Sequence, residues 1–182
     1  MVAPGKALQV GDKVPVLRYQ DVSGKPGTNT GRDDCIIVYS FADRKSSKKL
    51  MDVMEESQLE LVRAHPRLKL VFLNIADLSA LPGALRHLIG PVLEKMNDYA
   101  MKKMRRGYEK AGVNLDPRAV ELVFIPDWKG EFLRAFGLPD ACDFRVFVAV
   151  RGEIAGVFDS HTPGMGEKFC RLFDQLAENP QR

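Results

Sequence analysis

Apolar positions recur along this chain in two rhythms. The segments "CIIVYS" (35–40), "LKLVFLNIA" (68–76) and "VELVFIP" (120–126) are short, nearly unbroken apolar runs. Runs of that length suit strands buried on both faces, as in a parallel sheet. "VPVLRYQ" (14–20) reads as one more short strand, and "DVSGKPGTNTG" (21–31) as a turn-rich connection punctuated by Gly24, Pro26, Gly27 and Gly31. "FRVFVAV" (144–150) and "EIAGVFD" (153–159) flank the dipeptide "RG", a spacing that predicts a tight hairpin. Elsewhere the rhythm is helical. Leu50, Val53, Met54, Leu61 and Val62 predict a helix over 46–64, with Ser46 or Ser47 as the N-cap and His65-Pro66 as the stop. Residues 84–111 carry a long apolar stripe from Leu85 to Tyr108, as one helix or as two broken near Gly90-Pro91. "EFLRAFGL" (131–138) predicts a short helix, and "MGEKFCRLFDQLAE" (165–178) an amphipathic one with Phe169, Leu172, Phe173 and Leu176 on one face.

The order is β, β-α-β, α, β-α, β-hairpin, α. It predicts an α/β sandwich with helices on both faces of a mixed central sheet, its β-α-β unit right-handed. At 182 residues the chain fits one domain, 1–182, with 84–111 as a helical insertion. The net charge of +3 is mild and does not argue for nucleic acid. Residues 1–16 lack the apolar core of a secretory signal, and no apolar run reaches the ~18–20 residues of a spanning helix, so a cytoplasmic protein is expected. Cys35, Cys142 and Cys170 are too few and too far apart for a disulfide framework or a C-x-x-C metal pair. His65, His87 and His161 are scattered, so no metal is expected. No phosphate-binding loop, dinucleotide fingerprint or nucleophile elbow is present, and no cofactor is expected.

Several landmarks resemble the thioredoxin-like superfamily, most closely its peroxiredoxin and thiol-reductase branch. They are "VGDKVPVL" (10–17), "VSGKPG" (22–27), "IIVYSFADRKSSKKL" (36–50), "IPDWKGEFLRAFGL" (125–138) and "VFVAVRGEIAGVF" (146–158). The resemblance implies a thioredoxin-like α/β/α sandwich with its working loop after the first core strand. That loop departs from the pattern. Lys45-Ser46-Ser47-Lys48 stand where a C-x-x-C pair would be, and Cys142, Asp143 and Phe144 stand near the position of the superfamily's cis-proline. Disulfide exchange needs a thiolate, which lysine and serine cannot supply.

Two readings follow. In the first, the chain is a redox-inactive binding or adaptor module. Arg44, Lys45, Ser46, Ser47 and Lys48 then cradle an anionic ligand or protein segment at a helix N-terminus, with Cys142 and Asp143 beside them. The bland counterpart is a solvated charged turn in which Asp43 pairs with Arg44 or Lys45. In the second, Cys142 has a pKa lowered by the helix start and the lysines, and serves as an atypical thiol peroxidase or thiol-disulfide oxidoreductase. Its bland counterpart is a small buried loop residue, and Cys35 and Cys170 read as structural. The basic run "KKMRRGYEK" (102–110) can contact an acidic partner or an anionic membrane surface. The plain reading of 84–111 is a cover helix packed on the sheet.

Overall fold

The computed structural model describes residues 6–42, 46–66, 68–113, 119–138 and 144–178. A five-stranded sheet of order β5-β4-β3-β6-β7 forms the centre. Its strands are β3 (Ile36–Ala42), β4 (Leu70–Asp77), β5 (Val120–Asp127), β6 (Arg145–Val150) and β7 (Glu153–Asp159). β3, β4 and β5 run parallel, whereas β6 pairs antiparallel with β3 and β7 antiparallel with β6. The sheet is mixed, as the run order predicts.

Side chains alternate across the pleat. Ile36, Val38, Leu70, Phe72, Val146 and Val148 point to one face, where α1 (Ser47–Ala64) and α4 (Met165–Glu178) cover them with Leu50, Met54, Leu61, Phe169 and Phe173. Ile37, Tyr39, Phe41, Val71, Leu73 and Phe147 point to the other, against α3 (Glu131–Ala135), Phe136 and Leu8. β3 is the central strand and six of its seven residues are buried, which is why its sequence is apolar but for Ser40. Gly137 closes α3 at φ 66°, and a Cβ there would lie 2.0 Å from the Lys6 carbonyl oxygen. Only glycine lets the N-terminal segment come that close. The "RG" turn has both Arg151 (φ 51°) and Gly152 (φ 74°) in the left-handed region, as a two-residue type I′ hairpin requires.

Four expectations need correction. The strand expected at 14–20 narrows to β1 (Arg18–Gln20), with Val16 exposed. Its partner β2 (Pro26–Thr28) lies inside the stretch read as turns, because two short antiparallel strands need only a polar connection and no apolar run. β5 is an edge strand with only Val120, Ile125 and Asp127 buried. α2 (Arg86–Lys110) is a single helix with Pro91 inside it, the first of the two alternatives left open by the sequence. Pro91 cannot donate to the His87 carbonyl one turn back, but both residues are exposed, where water can replace that bond. The fourth correction concerns this helix, which does not cover the sheet: Tyr108 is its sole buried residue.

Candidate functional site

Phe41, one residue before the end of β3, pairs with Arg145, the first residue of β6. α1 begins at Ser47, five residues after β3 ends. The connection after β3 and the connection into β6 therefore open at the same pole of the sheet, as the resemblance implies. Lys49 Nζ stands 5.9 Å from the centre of the Phe144 ring and ties the two together. Of the residues singled out in the sequence, Ser46, Ser47 and Lys48 are described here. Arg44, Lys45, Cys142 and Asp143 lie outside the described residues.

Ser46 is buried and holds the N-cap position, but with helical dihedrals (φ −86°, ψ −17°) and no capping bond from its side chain. That corrects the expected serine cap. The reason is local geometry: a capping side chain needs the extended backbone that Ser46 does not have. Its carbonyl accepts the Leu50 N–H at 3.0 Å, which starts the helical ladder. Lys48 and Lys49 are exposed, and the first turn of α1 contains no acidic residue.

The two described thiols lie elsewhere. Cys35 precedes β3, at the strand end away from this pole, with Sγ 3.3 Å from Asp34 Oδ1. Burial, and then the Asp34 carboxylate, push its pKa up to about 11. Cys170 lies on α4, its Sγ 3.4 Å from Glu60 Oε2, and burial followed by Glu60 pushes it up to about 11 as well. Both groups favour the protonated thiol. At about pH 8 roughly one molecule in a thousand would carry either thiolate. Among the described residues no group of three or more His, Cys, Asp or Glu is placed to hold a metal ion, and no helix is long and apolar enough to cross a membrane.

A second feature went unread in the sequence. A shallow hollow of about 410 Å³ sits at the C-terminal end of β5, with Arg18, Arg86, Trp128 and Lys129 among its lining. The Arg86 guanidinium stacks over the Trp128 ring at 5.3 Å. The two aspartates of the lining are taken up by backbone N–H groups. Asp21 accepts the backbone N–H groups of Ser23 and Lys25, both at 2.9 Å. Asp127 accepts those of Glu131 and Phe132 at 2.8 Å and Leu133 at 3.3 Å. "DWKG" read as a plain turn, and no sequence signal marks Asp127, four residues ahead of Glu131, as holding the start of α3, because the cap position itself is Gly130. The arginines come from positions 18 and 86, and nothing in the sequence joins them to Trp128.

No protein-family model and no curated relative matches the sequence. Solved structures do match in fold. One is a protein assigned as the thiol:disulfide interchange protein DsbE of Chlorobium tepidum, with 16% identity, a TM-score of 0.56, and 93% of this chain and 98% of that one covered. Another is the peroxidoxin BcpB of Mycobacterium tuberculosis, at 14% identity and TM-score 0.56 over 94% of this chain and 97% of the other. A third is BsSco, of the Sco family of cytochrome c oxidase assembly proteins, at 9% identity and TM-score 0.54 over 95% and 96%. With the sheet order and the helices on its two faces, these likenesses define the class: the chain has the thioredoxin-like fold.

Proposed function

We propose that the pole formed by the end of β3, the first turn of α1 and the start of β6 is a binding surface for an anionic segment of another protein, and that it performs no dithiol exchange. The observation that carries the reading is the make-up of that first turn. Ser46, Ser47, Lys48 and Lys49 stand there with no acid among them. A helix start already holds about half a positive charge on its free N–H groups, and each added lysine costs about 0.3–1 kcal/mol there. An anion brought by a partner offsets that cost. Cysteines stand only at 35, 142 and 170, so no second thiol can resolve a mixed disulfide within this turn.

The test is binding of a labelled oligoglutamate peptide, read by fluorescence anisotropy. Lys48→Glu combined with Lys49→Glu should weaken it about tenfold or more, and salt near ~1 M should abolish it. The same double change should leave thermal stability level or slightly raised, because glutamate complements a helix start. If the double change leaves binding intact while Lys102→Glu with Arg106→Glu removes it, the contact is on α2 and this reading fails.

A second reading has its own support. One fold neighbour is named a thiol:disulfide interchange protein and another a peroxidoxin, and with burial pushing Cys35 and Cys170 up to about 11 the thiol left to act is Cys142. As a peroxidase, its thiolate would attack a peroxide oxygen, the O–O bond would break, and the leaving oxygen would take a proton, giving a sulfenic acid. Alkylation of the native protein from about pH 5 to about pH 9, read site by site by mass spectrometry, separates the readings. Cys35 and Cys170 should stay slow throughout. Fast reaction at Cys142 with a midpoint well below ~8.5 would favour the enzyme; a slow Cys142 would end that reading.

A further inference from the structure

α2 is ~37 Å long by its 25 residues, and it is held at both ends. Near its start, an Arg86 Nη donates to the Trp128 carbonyl at 3.5 Å. Toward its end, Lys103 pairs with Glu55 of α1 at 2.6 Å, and an Arg63 Nη donates to the Ala111 carbonyl at 3.1 Å. One side of the helix, with Ile89, Leu93 and Met104 half-buried and Tyr108 buried, turns toward the body. A second apolar row does not. Leu85, Leu88, Val92, Met96 and Tyr99 are 39%, 59%, 55%, 56% and 67% exposed. These are five of the eight exposed large apolar side chains among the described residues.

At 100° per residue, the five positions fall within about 80° of arc and run for ~21 Å along the axis. Their spacing of three and four residues is that of a seam between helices. Lys95, Lys102 and Arg106 line the outer flank of this seam and make no ion pair among the described residues. From Arg86 to Lys110 the helix carries seven basic and three acidic residues, so it alone accounts for the chain's positive excess. We infer that this seam is a docking site for an amphipathic helix of a partner protein, with apolar residues on its seam and acidic residues along the flank that meets Lys95, Lys102 and Arg106.

Two other occupants fit worse. A second copy in antiparallel register about Val92 would set Lys95 and Lys102 against residues 82–91 of its partner. That stretch contains Arg86 and His87 and no acid. An anionic bilayer takes a broad apolar face with basic residues on both sides. This seam is narrow, and the body of the protein occupies one of its flanks. The inference concerns a surface separate from the pole of α1 and stands or falls independently of it.

The test is a displayed library of helical peptides with a fixed leucine seam and flank positions drawn from Glu, Gln and Lys, selected on the full chain. Glutamate should be enriched on one flank, and the selected peptide should bind about tenfold more tightly than its lysine-flanked counterpart. Val92→Asp or Met96→Gln should abolish binding with unchanged far-UV circular dichroism and melting temperature, since both side chains are exposed. Lys95→Glu with Lys102→Glu should reverse the flank preference. Three outcomes overturn the inference. One is no enrichment over the Val92→Asp protein. Another is sedimentation of the wild-type chain as a dimer that Val92→Asp dissociates. The last is capture on phosphatidylserine vesicles that depends on the same residues.

Discussion

Phe136→Ala should lower the free energy of unfolding by about 3–5 kcal/mol in urea titration. Phe136 is fully buried, directly after α3, and its ring centre lies 4.9 Å from those of Tyr39 and Phe41 and 5.0 Å from that of Phe147. These three rings come from β3 and β6, the strands whose ends build the candidate pole. Truncation removes the apolar contact of a whole ring and leaves a void that two rigid strands cannot close. It also removes three tilted and edge-on ring contacts, worth about 0.5–1.5 kcal/mol each beyond the buried area. Phe136→Leu should recover more than half of the loss, because it refills most of the volume. A loss under about 1.5 kcal/mol for the alanine variant would mean that the two strands and α3 do not share one packed face.

Asp127→Ala should cost about 2–4 kcal/mol. The carboxylate is 5% exposed and accepts three backbone N–H groups at the start of α3. Alanine leaves the amides of Phe132 and Leu133 without an acceptor in a buried position. Asp127→Asn keeps one acceptor oxygen and should fall between the two. Hydrogen exchange gives the local readout: the amides of Phe132 and Leu133 should exchange faster in the alanine variant, while those of β3 follow only the global loss. Equal acceleration everywhere would show that Asp127 holds the fold as a whole and not this turn.

Much of the fold was legible because burial writes itself into residue type. The apolar run of β3 required a strand with neighbours on both faces, and the structure places it at the centre. Phe169 and Phe173 required a covered face of α4, and both are fully buried. "RG" between two alternating segments required its hairpin. The pole was legible only through the resemblance, which sets the connection into β6 beside the one after β3, and the pairing of Phe41 with Arg145 agrees with it. Misreadings came where a residue's own chemistry is silent about its neighbours. Pro26 and Gly27 look like turn residues and lie in a strand of a small ribbon. Pro91 left open whether 84–111 is one helix or two, and the structure decides for one. Trp128, Arg86 and Arg18 converge from three distant segments.

α2 makes the division plain. The sequence by itself determined that 84–111 is helical, as one helix or two, with a wide apolar side and a basic end, because periodicity is a property of the chain. It also determined that Ser46, Ser47 and Lys48 stand at the start of the helix that follows β3. Only the tertiary structure decided how much of that apolar side the body covers. Covering takes atoms from other elements, and in this fold the body half-buries Leu93 and Met104 and leaves Leu88, Val92 and Met96 exposed.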